Sequence, residues 1–285
     1  FYSLENELKF LNLSYNLFLS IKSYYFNNLY GLNYLNLANN KISSIEEDSF
    51  LKLKFLTILD LSDNCLFKLD LKLFSNTINL DELILKNNLI KSMNQNLFLK
   101  LNKLRILDVS NNLIEKYITN ENILPNLIQL DLSYNYLLRE FTSFSQKLLS
   151  LNLNFCNRLK EAKNINRLIH LESLEVSYTN DEFIVDLDVQ HFAKLIHLNF
   201  NGINVGLFNS AYFGKVFNHI IRLYLNDCKG ILKLDFTNSF FNLKELHITK
   251  AIEIQNSSSS LFSQSSFIES LKLSELNLTS PRLER

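Results

Sequence analysis

The motif LxxLxLxxN recurs along the whole chain, and it constrains the fold more than any other feature. Its first copy is Leu8, Leu11, Leu13 and Asn16, and its second is Leu32, Leu35, Leu37 and Asn40. Further copies begin at Leu56, Leu80 and Leu104, each 24 residues after the last. Starts at Leu127, Leu148, Leu171, Leu195, Ile220, Leu243 and Ile268 follow at spacings of 21 to 25 residues, which makes twelve copies. A unit this short cannot bury its apolar face alone, so neighbouring copies must stack and share one continuous core.

Within LxL, alternate residues of a strand point to opposite faces. Both leucines therefore face inward and the residue between them faces out. The stacked LxL segments are expected to pair into a parallel sheet of about twelve short strands. Asn16, Asn40, Asn64, Asn88, Asn112 and Asn135 hold the ninth position of successive copies. An amide at that turn can bond backbone groups that the turn leaves unpaired, including those of the adjacent repeat. Later copies carry Cys156, Thr179, Ile203, Cys228, Ala251 and Leu276 in its place. Ten residues beyond the ninth position lies a second column, Phe26, Phe50, Phe74 and Phe98, which returns at Phe213. Rings on the return limb would fill the wider side of a curved core. With five glycines and two prolines in the chain, Asn, Ser and Asp must close most turns.

These motifs resemble the leucine-rich-repeat family in its 24-residue form with a phenylalanine in the return limb, over residues 4–280. The resemblance implies an α/β solenoid curved like a horseshoe, with a concave parallel sheet and a mostly irregular or short-helical convex side. It implies a single solenoid over 1–285, regular at 8–135 and less regular at 136–280. That form is typical of extracellular proteins, including secreted binders and Toll-like receptor ectodomains. It implies an extracellular or cell-surface protein that recognises a protein partner on its concave face. A second resemblance points elsewhere. LLSLNLNFCNRL and IIRLYLNDCKGI, with Cys at the turn, are similar to repeats of intracellular ubiquitin-ligase substrate receptors. A cytoplasmic adaptor or substrate receptor is the alternative. No cysteine-rich caps flank the repeats, so the chain is expected to be a piece of a longer protein.

Charge and motif content narrow the chemistry. The 29 basic and 29 acidic residues balance, which argues against nucleic acid or an anionic membrane as partner. No stretch approaches the ~20 apolar residues of a membrane-crossing helix. His197 and His247 face the concave side two strands apart, too far to share a metal, and read as solvated surface residues. Gly31, Gly202, Gly206, Gly214 and Gly230 form no phosphate-binding loop, and no serine stands in a nucleophile elbow. No catalysis, metal or cofactor is expected. Cys156 and Cys228 lie three repeats apart, beyond disulfide reach, and should be free and buried. Cys65, on the flank, is the more accessible thiol.

The outward position between the paired leucines reads Asn12, Asn36, Asp60, Ile84, Asp108, Asp131, Asn152, Glu175, Asn199, Tyr224, His247 and Lys272. It turns acidic through the middle, with Tyr134, Phe155 and Tyr178 beside the acidic stretch and Phe10, Tyr15 and Tyr34 near the start. Asp108, Asp131, Tyr134, Phe155, Glu175 and Tyr178 form the candidate ligand patch. Aromatic rings beside carboxylates suit a protein partner with exposed lysine or arginine. A polar residue between the leucines also serves simply to keep the sheet soluble. Dimerisation is left open. Glycosylation acceptors occur at Asn12, Asn256 and Asn277, of which Asn256 lies in the loop-like run QNSSSSLFSQSS. A sugar on Asn12 would cover part of the concave face.

Overall fold

The LxL segments pair as the spacing predicts. In a computed structural model, which describes residues 7–207, 219–233, 242–250, 253–255 and 270–274, they form one twelve-stranded parallel sheet in strict chain order. The strands run from Phe10–Asn12, Tyr34–Asn36 and Ile58–Asp60 through Ile106–Asp108 and Gln129–Asp131 to Glu245–Thr249 and Ser270–Ser274. Register carries each motif onto the next: Leu11 faces Leu35, Leu59 faces Leu83, and Leu130 faces Leu151. The shorter and longer repeats keep this alignment, because insertions and deletions fall on the return limb.

The leucines at the first, fourth and sixth motif positions make the core. Leu32, Leu35 and Leu37 are fully buried, as are Leu80, Leu83 and Leu85. Each such side chain contributes roughly 1.5–3 kcal/mol of apolar burial. Phe26, Phe50, Phe74 and Phe98 are buried on the return limb. Phe26, Phe50 and Phe74 stack at centroid spacings of 6.2 and 6.4 Å. Phe213 lies outside the described residues.

Helix is sparse on that limb. Among the described residues it comprises one α-helix, Asp181–Asp186, capped by the Asn180 side chain, and short 3-10 turns such as Gln95–Phe98. The limb also holds short parallel ladders that the sequence reading did not include. Lys116–Ile118, Glu140–Thr142 and Glu161–Lys163 form one, with Tyr117 and Phe141 stacked inside it at 5.9 Å. Successive repeats place these segments side by side, so their backbone groups bond between neighbours.

The ninth-position asparagines sit inside the turn. Asn88 donates through Nδ2 to Leu85 O (3.0 Å) and Lys86 O (3.2 Å) of its own repeat and to Leu61 O (3.0 Å) of the preceding one. Its Oδ1 accepts from the Leu66 N–H at 2.9 Å. Asn40, Asn64, Asn112 and Asn135 reproduce the pattern, each joining two repeats. Asn16 is exposed and, among the described residues, bonds only Leu13 O and Ser14 O within its own turn. Cys156 takes over part of this role, its thiol donating to Leu132 O at 3.3 Å, and Cys228 does the same to Phe200 O. Both cysteines are free, and burial pushes each thiol up to about 12.

Candidate functional site

The sheet's outer face is not covered by any other element of the described chain. Columns of side chains run across it, one from each outward position of the motif. The column between the leucines pairs Asn12, Asn36, Asp60, Ile84, Asp108, Asp131, Asn152, Glu175, Asn199, Tyr224, His247 and Lys272 in successive register. Two residues earlier stands a column that opens Phe10, Tyr34, Ile58, Glu82, Ile106 and Gln129. Phe10 is exposed, and its ring lies 6.0 Å from Tyr34.

The eighth motif position turns the chain away from the sheet in a left-handed conformation. Tyr15, Asn39, Asp63, Asn87, Asn111, Tyr134, Phe155, Tyr178, Asp227 and Lys250 all have φ between 50° and 60°, and Gly202 has φ 71°. Asn and Asp tolerate this region, whereas bulky residues enter it only when their surroundings hold them there. Along the column, Asn87 and Asn111 each donate to the preceding side chain at 2.6 Å. Beyond Asn111 the column becomes aromatic. Tyr134, Phe155 and Tyr178 stack nearly parallel, with centroids 4.5 and 4.7 Å apart, so the three candidate aromatics form one unit.

Tyr178 closes that stack by lying across Gly202. A Cβ on Gly202 would come within 2.2 Å of the ring, and the phenol donates to Asp227 Oδ2 at 2.7 Å, two repeats away. Burial and then the Asp227 contact push the phenol up to about 12. Sequence reading included neither Gly202 nor Asp227 in the site. Their shared eighth position was the signal that would have found them.

The candidate carboxylates are not equivalent. Asp108 and Asp131 face each other on adjacent strands, and each accepts the N–H of the serine two residues on, Ser110 and Ser133, at 2.9 and 2.8 Å. Burial first, and the nearby Asp108 charge further down, raise the Asp131 carboxyl above its ordinary value despite the Ser133 and Asn152 bonds. Glu175 is already compensated. It lies 2.5 Å from His197 Nε2 and accepts from Asn154 and Asn199 at 3.0 and 2.7 Å. Burial alone would raise its pKa. The His197, Asn154 and Asn199 bonds and the histidine charge outweigh that and hold it low.

His197 is therefore not a solvated surface residue. Its side chain is only 14% exposed, and its Nδ1 is buried without a hydrogen-bond partner among the described residues. It is held between Glu175 and the Tyr224 ring, whose centroid lies 5.3 Å away, and His247 packs on the far side of Tyr224 at 4.7 Å. Among the described residues, no three His, Cys, Asp or Glu side chains are placed to share a metal ion. None of the described helices is long and apolar enough to cross a membrane. Asn12 is exposed at the first strand, its Oδ1 bonded by Ser14. Asn256 and Asn277 lie outside the described residues.

A stacked parallel sheet with an asparagine-tied turn defines a repeat solenoid. A model of the leucine rich repeat matches residues 6–66 and again 54–114. Those residues carry leucine rich repeats, and the fold of the chain is that of a leucine-rich-repeat solenoid. It is similar in fold to the leucine-rich repeat domain of APL1B, at 20% identity and a TM-score of 0.74, over 95% of this chain and 77% of that one. The APL1 leucine-rich repeat domain gives 18% and 0.71, over 97% and 70%. A leucine-rich-repeat protein of Leptospira interrogans gives 20% and 0.64, over 96% and 74%. No curated protein sequence matches the chain.

Proposed function

We propose that the chain is a non-catalytic protein-recognition module, at the cell surface or secreted, that binds a partner bearing exposed lysine or arginine on its concave face. The observation that carries this reading is the uncovered sheet face, on which the Tyr134–Phe155–Tyr178 stack stands beside Asp108 and Asp131. Rigid rings supply contact energy at low entropic cost, and carboxylates beside them select the sign of the partner's charge. Glu175 belongs to the patch chiefly as support, since its oxygens are already bonded by His197, Asn154 and Asn199. Cofactors play no part in such binding.

Replacing Asp108, Asp131 and Glu175 together with lysine tests the site. The variant is expected to keep its circular dichroism spectrum while capturing at least tenfold less of the partner recovered by the unmodified chain. Equal capture by both would place the site elsewhere. A cytoplasmic adaptor or ubiquitin-ligase substrate receptor is the second reading, favoured by the three free cysteines. Protease treatment of intact source cells, with assay of the medium, separates the two. Surface digestion or secretion supports the first, and full protection in a cytosolic fraction supports the second.

A further inference from the structure

The part of the concave face that precedes the aromatic stack has a chemistry of its own. Three adjacent strands, Ile58–Asp60, Glu82–Ile84 and Ile106–Asp108, alternate isoleucine and carboxylate both along and across the strands. Glu82 stands between Ile58 and Ile106, and Ile84 stands between Asp60 and Asp108. All six side chains are partly exposed.

Among the described residues no basic group pairs with these carboxylates. Asp60 and Asp108 accept only from Ser62 and Ser110 on their own turns, and Glu82 has no hydrogen bond or ion pair among the described residues. Arg105, at the edge, is bonded to Asp81. Lys86, the one basic residue of these strands' outward positions, is exposed and pairs with none of the three. Burial first, then the Asp81 and Asp60 charges, raise the Glu82 carboxyl above its ordinary value, as expected where negative charge lacks a counterion. The contrast with Glu175, satisfied by its own neighbours, is direct.

We propose that this lattice receives lysine and arginine side chains of the partner, their aliphatic stems lying over Ile58, Ile84 and Ile106 and their cationic heads on Asp60, Glu82 and Asp108. The inference rests on the concave-face reading and makes it more specific. Lysine and arginine are the side chains that present apolar length and positive charge together, so a surface that interleaves apolar and anionic groups at strand spacing complements both ends at once. A small cation would use only the carboxylates, and an apolar helix would bury them without partners at a cost. A folded or extended protein segment rich in long cationic side chains is the occupant this face fits.

The test uses two synthetic peptides, one alternating lysine with serine and one alternating 2,4-diaminobutyrate with serine, which carry equal charge on stems of different length. The full chain is expected to bind the lysine peptide roughly tenfold more tightly, because the lost methylenes no longer cover isoleucine. Glu82→Gln with Asp108→Asn should weaken both peptides. Ile84→Ser with Ile106→Ser should leave charge attraction in place and remove the preference between them. Glu182→Gln, on the return limb, serves as the control and should change neither affinity.

Equal affinity for the two peptides would overturn the stem contact, and with it the proposal. Binding that survives these variants but is lost on Tyr134→Ala would overturn the proposal and leave the concave-face reading standing. Absence of binding by either peptide at low salt would do the same, since the face would then select its partner by other chemistry. Binding that is lost only with Glu182→Gln would place the contact on the return limb and sink both readings.

Discussion

At the scale of single residues, the left-handed eighth position decides which side chains stand together. Tyr178 can lie flat only because Gly202 has no side chain, and its hydroxyl then reaches Asp227. Gly202→Ala is expected to push the ring off the backbone and break that bond, which spectrophotometric titration would detect as a fall in the Tyr178 pKa from about 12 toward the ordinary tyrosine value near ~10. An unchanged titration would refute the account. The sign for stability follows from the raised value. The contribution is intact below the unfolded tyrosine pKa and is lost as pH rises toward about 12. Tyr117 offers a second case, with its hydroxyl fully buried and without a partner among the described residues. Tyr117→Phe removes a desolvated group that costs about 1–3 kcal/mol and should raise the unfolding midpoint. A clear drop in the midpoint would show that the hydroxyl is bonded after all.

At the scale of the repeat element, the ladder residue is a connector between neighbours. Asn88 bonds two carbonyls of its own turn, a carbonyl of the preceding repeat and an N–H of that repeat. Asn88→Leu leaves those buried groups unmatched and is expected to cost roughly 1–3 kcal/mol by chemical denaturation. An unaltered midpoint would mean that the turn is held by its backbone bonds alone. Cys156 has one weak donor at the equivalent place, bonded to Leu132 O. Beyond Asn135 the turns therefore rely more on packing and on local devices, such as the Asn180 cap and the Thr179 hydroxyl bonded to Val176 O.

At the scale of the molecule, each strand of the sheet bonds only its neighbours in chain order. A solenoid of this kind has near-one-dimensional energetics, in which repeats are stabilised by the units on either side. Leu151 is fully buried in a central strand, and Leu151→Ala should cost about 2–5 kcal/mol. Hydrogen exchange should rise most in that repeat and the two flanking it, with the first repeats little affected. A uniform rise over the chain would show that the solenoid unfolds as a single unit. The same linear order spreads the candidate site over many strands. Its acidic lattice, aromatic stack and histidine–glutamate pair are successive zones of one face.

The repeat spacing alone determined the strands, their parallel order, their register and the inward leucines, because each copy sees the same neighbours and alternation allows one choice of face. The residues on the concave surface could be read from the same rule. What the sequence could not reveal was how those residues bond to one another. The Glu175–His197 pair, the ring of Tyr178 over Gly202 and the unanswered charge of Glu82 depend on rotamers and burial across strands 21 to 25 residues apart in the chain. The small ladders of the return limb likewise depend on how neighbouring loops settle, since no strict motif repeats there. Hydrophobic periodicity is a local signal and survives in the sequence, whereas the state of a polar side chain is set by whichever partners tertiary packing brings within hydrogen-bond reach.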